Sequence, residues 1–268
     1  MTGIPLGKYQ PGSSAVHLLD PRTKMAGLVV YLAVLFLVKH FVMLALPLLF
    51  VAAVLVLSDI PVRYLYTSVA PMKWLLVFLF LLNLLMTPGE TVLLKLGPLV
   101  IRREALLQAC FVTVRLILLI SGASLLTLTT SPIGLTDGLE ALLTPLTKLK
   151  FPAHEIALML TIALRFIPTL AEETERIRKA QLSRGADLES GGLFSRLKAM
   201  LPIMTPLFVS AFRRADELAM AMDARCYAGG GGRTRLNELK MRRGDALAFL
   251  VLGAFLAAAV LLDRTVLA

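Results

Sequence analysis

The chain has 268 residues, of which 57% are hydrophobic and only 17% charged, and its formal net charge is +10. Soluble domains carry about 25% charged residues, and the deficit leaves long apolar runs that exclude an ordinary soluble domain and place the chain in a bilayer. The basic excess comes without interleaved aromatics or a reader motif, which argues against nucleic acid, and its first explanation is topological, since Lys and Arg accumulate in cytoplasmic loops.

Residues 1–24 contain Pro5, Pro11, Pro21 and three glycines and make poor helix. The first apolar run begins near Met25 without a small-residue cleavage site, and is expected to persist as a signal anchor. Apolar runs fall at about 25–38, 41–57, 74–87, 105–130 and 246–262. They predict five spans, several of them shorter than the ~20 residues that cross a bilayer upright; local thinning or snorkelling absorbs the difference. Only Lys39 and His40 separate the first two runs, so a tight helical hairpin is expected. Arg115 lies inside the fourth run, where the simplest expectation is that it snorkels or pairs with a carboxylate. Residues 88–104 hold Pro88, Gly89, Gly97 and Pro98 and read as a turn-rich connection of the short-hairpin kind.

Residues 131–245 are different in kind and hold 17 of the 28 basic residues. Three helical segments are expected there: about 132–150, broken near Pro145; about 153–184, kinked at Pro168; and about 194–225. Gly185, Gly191, Gly192 and the run 229–232 supply the stops. The middle helix has an apolar first half and a highly charged second half, so it reads as one long amphipathic helix rather than a span. Placing the N-terminus, 58–73 and 131–245 on the cytoplasmic side puts most Lys and Arg inside and predicts an inside N-terminus. The chain then divides into 1–130 with four spans, 131–245 as a cytoplasmic domain, and 246–268 with the last span. The fold class is an all-α membrane protein of about five spans plus three cytoplasmic helices, two of them long.

Signals for catalysis fail one by one. GIPLGKY (3–9) has too few residues between its glycines for a phosphate loop, and Tyr9 stands where Ser or Thr is needed. HEIAL (154–158) lacks the second His one turn on that would share a metal. Cys110 and Cys226 do not suggest a disulfide framework. No cofactor, metal site or catalytic residue is expected.

The informative feature is a repeated ending. One long helix closes as QLSRGAD (181–187) and the next as AMDARCYAGG (221–230). Each sets one arginine between small residues, Ser183–Arg184–Gly185 and Ala224–Arg225–Cys226, after an acidic stretch. Small neighbours leave the guanidinium clear of its own helix, where its planar set of donors can meet a carboxylate on another protein bidentately. The helix C-terminus favours the cation as well. Two such ends on consecutive helices suggest recognition of two similar partners.

With these residues in hand, the chain resembles the transmembrane T components of energy-coupling factor importers, bacterial uptake systems for vitamins and metal ions. The resemblance rests on GSSAVHLLDPRTKM (12–25), TTSPIGLTDGLEALLTPL (129–146), HEIALMLTIALRFIPTLAEE (154–173) and SAFRRADELAMAMDARCYAGGGGRTRL (210–236). It implies that the two arginine motifs end coupling helices and that Arg184 and Arg225 dock into grooves on two ABC-type ATPase subunits. It implies a third partner, a small substrate-binding S component in the membrane, and a location in the bacterial cytoplasmic membrane. ATP hydrolysis would belong to the ATPases. The family's motif reads Ala-Arg-Gly, so Ser183 and Cys226 depart from it. Met159, Met200, Met204, Met220 and Met222 lie on the long helices and suit adaptable contact, but read more simply as core. A lipid-phosphate enzyme using Arg102 and Arg103 would need an intramembrane acid or metal constellation that the sequence lacks. A self-sufficient channel would conduct without partners.

Overall fold

The computed structural model describes residues 9–89, 91–96, 99–149, 152–186, 192–229 and 241–267. The element order is α1 (Pro21–Leu37), a 3-10 turn (Phe41–Leu44), α2 (Ala45–Leu57), α3 (Val62–Val69), a 3-10 turn (Ala70–Met72), α4 (Lys73–Met86), β1 (Val92–Leu96), β2 (Leu99–Arg102), α5 (Arg103–Thr129), α6 (Pro132–Leu143), a 3-10 turn (Thr144–Leu149), α7 (Ala153–Ser183), α8 (Leu193–Asp223) and α9 (Arg243–Leu267). The chain is an all-α membrane protein apart, among the described residues, from one antiparallel hairpin, β1–β2, which pairs Leu94 with Ile101 and Leu96 with Leu99. That hairpin is the expected turn-rich connection. The expected break near Pro145 is the change from α6 to a 3-10 turn at Thr144. Proline lacks the amide hydrogen that would continue an α-helix.

Four helical stretches are long and apolar enough to cross a membrane by length and composition: 62–86, 103–129, 153–183 and 243–263. Three of them overlap expected spans, and 153–183 does not. The run expected at about 74–87 is α4, and the stretch that meets the criterion also takes in α3 and a 3-10 turn ahead of it, 25 residues in all from Val62. α1 and the stretch Phe41–Leu57 are shorter, α1 having 17 residues. α7, expected outside the bilayer, also satisfies the criterion because its first half is apolar.

The chain divides into two compact units, one of residues 7–138 and 238–268 and the other of 1–6 and 139–237. In the first, α5 packs against α1, α2, α3 and α4, while α9 packs against α1. Tyr31, Val34 and Leu35 of α1, Phe111, Leu118 and Leu125 of α5, and Phe255 and Ala259 of α9 are buried together. Small residues on α5 permit this close approach: Ala105, Ala109, Ser121 and Gly122 are buried. A Cβ on Gly122 would lie 2.3 Å from the Tyr31 ring. The Tyr31 hydroxyl donates to the Leu118 carbonyl at 2.9 Å, so the polar end of this buried ring is satisfied.

The LDPRTK segment has a structural task in this unit. Asp20 caps α1, accepting from the Arg22 amide at 3.0 Å, with Pro21 at the first helical position. The Lys24 ammonium donates to the His17 and Thr129 carbonyls at 3.1 and 3.0 Å. Buried Asp245 accepts from the Asp20 amide at 2.8 Å and from the Arg242 amide at 2.7 Å. The start of α1, the end of α5 and the start of α9 are thereby fastened at one level.

Of the two expectations for Arg115, the one that fails is pairing with a carboxylate. Arg115 meets no carboxylate among the described residues. Its guanidinium donates to the carbonyls of Leu35 at 3.0 Å, Phe36 at 3.3 Å and Val38, at the end of α1. Its charge also lies 4.9 Å from the Phe111 ring centre. The last carbonyls of a helix lack intrahelical partners, and water is absent at membrane depth, so a forked donor from α5 completes them.

In the second unit α7 and α8 pack against each other. Arg214 of α8 donates to Glu173 of α7 at 2.6 Å, and Gln181 of α7 donates to the Pro202 carbonyl of α8 at 3.4 Å. A later α7 residue thus meets an earlier α8 residue, so the pair is antiparallel. Both helices have 31 residues and pass through internal prolines, Pro168 in one and Pro202 and Pro206 in the other.

Candidate functional site

The ends of α7 and α8 share one backbone geometry. At the end of α7 the Gly185 amide bonds the Leu182 carbonyl at 3.0 Å and the Ala186 amide bonds Gln181 at 3.0 Å. At the end of α8 the Cys226 amide bonds the Asp223 carbonyl at 2.9 Å and the Tyr227 amide bonds Met222 at 3.1 Å. The offsets are identical. In each case the turn reverses through a left-handed residue, Gly185 at φ 82° and Cys226 at φ 55°. This is the paired cap that satisfies the last carbonyls of a helix.

The cap explains why a small residue follows each arginine. A Cβ at Gly185 would have nothing within 4 Å, so close packing within this chain does not require glycine there. The left-handed φ does, because a side chain in that conformation costs ~1–2 kcal/mol. Cys226 accepts that strain in the same conformation. From the sequence it stood only as a small residue in place of glycine.

Each cap fixes its arginine at the turn itself. Arg184 and Arg225 are exposed. The Ser183 hydroxyl folds back onto the Lys179 carbonyl at 3.0 Å and leaves Arg184 clear. Three of the upstream acids are engaged elsewhere: Glu175 with Arg178 and Lys179, Glu173 with Arg214, and Glu217 with Arg213. Among the described residues, neither the Arg184 nor the Arg225 guanidinium has an ion-pair or hydrogen-bond partner.

The structure does not bring the two motifs together. Arg225, Cys226 and Tyr227 line a cleft of about 470 Å³ with Leu158 and Ile162, which belong to the first turns of α7. Arg184 sits at the other end of α7, about 25 residues or ~38 Å along the helix at 1.5 Å per residue. The two tips therefore point out of opposite ends of one antiparallel pair.

The methionines also differ from expectation. Met159 is 62% exposed, Met220 64% and Met200 50%, so they are not core. α8 exposes a longer apolar set at helical spacing, including Phe194, Leu197, Leu201, Phe208 and Phe212. That periodicity was present in the sequence; its exposure was not readable there, because an apolar stripe looks the same whether covered or bare. Residues 230–232 of the glycine run lie outside the described residues, while Gly229 has φ 83°. Among the described residues no group of three or more His, Cys, Asp or Glu could hold a metal ion.

Comparison with known proteins adds independent findings. A family model described as cobalt transport protein matches residues 12–236. The chain is 50% identical over 253 residues to the energy-coupling factor transporter transmembrane protein EcfT of Thermosediminibacter oceani, covering 94% of this chain and 95% of that protein. It is 48% identical to the protein of the same name from Thermanaerovibrio acidaminovorans, with 98% and 97% covered. It is 46% identical to that of Bacillus subtilis, with 96% and 98% covered.

Proposed function

The chain belongs to the family of energy-coupling factor transporter transmembrane proteins, and we propose that it is the mechanical coupling subunit of such an importer. In this reading Arg184 and Arg225 dock into two ATP-binding-cassette subunits. Ser183, Gly185, Ala224 and Cys226 form the caps that hold the arginines out. When ATP draws the two ATPases together, they carry the tips of α7 and α8 with them. The helices pass that displacement to a substrate-binding S component, which releases a vitamin or metal ion on the cytoplasmic side. The chain itself performs no hydrolysis.

The observation that carries this reading is the pair of matching caps, each presenting an arginine without a partner among the described residues, at opposite ends of one antiparallel helix pair. A separation of ~38 Å suits two separate protein partners rather than one bidentate ligand. The exposed apolar face of α8 and the methionines fit contact with a hydrophobic membrane partner. Residues 131–245 are proposed as the cytoplasmic coupling domain, with 1–130 and 246–268 in the cytoplasmic membrane of a bacterium and the N-terminus inside; the basic balance of 131–245 supports that orientation.

The test is charge reversal at both tips. Arg184→Glu or Arg225→Glu alone should weaken ATPase capture by ~2–5 kcal/mol, the cost of losing one partner of a buried charged pair. The double variant should lose both ATPases on co-purification and all uptake. Full retention of both in the double variant would sink the proposal.

A further inference from the structure

The membrane unit contains a cavity of about 450 Å³ that none of the docking chemistry uses. Its size falls in the range of small-molecule sites, ~300–1,000 Å³. It lies between the N-terminal half of α1, the C-terminal halves of α2 and α5, and the N-terminal half of α9, with Ala15 to Leu19 beside them. The α1, α5 and α9 halves share one level because Lys24 and Asp245 fasten the corresponding ends together, and α2 lies beside them. The cavity therefore occupies one leaflet, on the side of the N-terminal segment.

Its walls are hydrocarbon. Only Thr23, Lys24, Tyr31 and Thr129 among the lining residues carry polar side chains. Tyr31, Thr129 and Lys24 direct theirs to backbone carbonyls. The Thr23 hydroxyl and the third Lys24 N–H leave polar capacity only at the N-terminal end of the cavity, and the rest of the wall offers a water none of the 2–4 partners it needs. From Thr23 to Tyr31 the cavity follows α1 for about eight residues, ~12 Å. That is most of the ~15 Å half-thickness of a bilayer core. Its floor near mid-membrane is aromatic: Tyr31 and Phe50 stack at 5.7 Å, and Phe255, outside the lining, backs Phe50 at 4.5 Å. Its mouth is lipid-facing, since the lining residues Leu57, Leu247 and Val251 are 58%, 65% and 45% exposed. The interior is thus continuous with the surface that already meets the bilayer.

We propose that this cavity is a binding site for one acyl chain of a membrane lipid, which enters between α2 and α9 and ends on the Tyr31–Phe50 floor. Lys24 does not make it an anionic-headgroup site. Two of its three N–H groups are spent on the His17 and Thr129 carbonyls, and Asp20 and Asp245 lie near enough to act on its charge. The site selects hydrocarbon and leaves the headgroup outside. A resident chain fills space that a moving transporter would otherwise leave void, and ties the packing of α1, α5 and α9 to the lipid around them.

The experiment is photo-crosslinking of the full-length chain in phosphatidylcholine nanodiscs, doped with phosphatidylcholine bearing a diazirine near the acyl terminus or near the acyl carbonyl. Labelled peptides are then read by mass spectrometry. The terminal probe should label around Tyr31 and Phe50, and the carbonyl-proximal probe around Lys24 and Thr129. Ala248→Phe, which fills the cavity, and Val251→Trp, which closes its mouth from the lipid side, should each cut that labelling about tenfold. Labelling of the outer face of α4, at Trp74, Val77 and Phe78, should not change and serves as the control for folded, embedded protein. Cavity labelling no stronger than that on α4 overturns the proposal. So does cavity labelling that persists in the Val251→Trp variant, or a depth order opposite to the one stated.

Discussion

Gly185→Ala isolates the left-handed cap from every other contribution. The new methyl would meet nothing within 4 Å, so no packing term enters. The φ of 82° remains, and a side chain there costs ~1–2 kcal/mol. Loss of glycine's freedom in the unfolded chain returns only ~0.4–1 kcal/mol of global stability, and it does not help a local opening of the last turn. The bond from the Ala186 amide to the Gln181 carbonyl depends on the cap and should open more often by the same ~1–2 kcal/mol, a factor of ~5–30. Native-state hydrogen exchange in nanodiscs measures this directly. Ala186 should lose about that factor of protection, while amides in the middle of α7 keep theirs. The reverse change, Cys226→Gly, should raise the protection of the Tyr227 amide. Unchanged exchange at Ala186 would refute the claim that backbone conformation is why a glycine follows Arg184.

Two further substitutions follow from the membrane unit. Arg115→Met should leave the carbonyls at the end of α1 without their donor, costing ~2–4 kcal/mol and lowering the melting temperature in nanodiscs by several degrees, with Arg115→Lys between it and wild type because an ammonium lacks the fork. A methionine variant as stable as wild type would show that the carbonyls find other donors. Asp245→Asn keeps one acceptor but turns an amide donor toward a backbone donor, so it should cost ~1–3 kcal/mol in the same assay and speed exchange of the Asp20 and Arg242 amides together. Faster exchange at only one of the two would contradict a shared clamp.

Most of the helical architecture was legible before any tertiary contact was known. Bilayers force backbone groups to bond within their own segment, so an apolar run is a helix almost by necessity. Proline and glycine then mark its ends. The expected helix at about 153–184 is α7 at Ala153–Ser183, and the one at about 194–225 is α8 at Leu193–Asp223. The hairpin at 88–104 was readable for the same local reason. The apolar run expected at about 74–87 is α4 at Lys73–Met86, and the helical residues ahead of it from Val62 gave no apolar signal because Arg63 and Lys73 interrupt the hydropathy there.

The two arginine tips were visible as a repeated pattern of small residues, yet the pattern was silent on what unites them. Gly185 and Cys226 differ in side chain and agree in backbone, and only coordinates show an agreement in φ. Arg115 was found from its depth, but its partners lie about 80 residues away and are backbone carbonyls, which carry no signature of residue type. The same holds for exposure of the α8 apolar face. The sequence by itself determined what each segment is: helix, turn, span or charged tip, because those follow from neighbours within a turn or two. Tertiary structure alone decided what faces what. It set the tips at opposite ends of an antiparallel pair, used Arg115 to close α1, and left room among α1, α2, α5 and α9 for a chain of lipid. Those outcomes depend on packing between distant residues, and packing has no period along the chain.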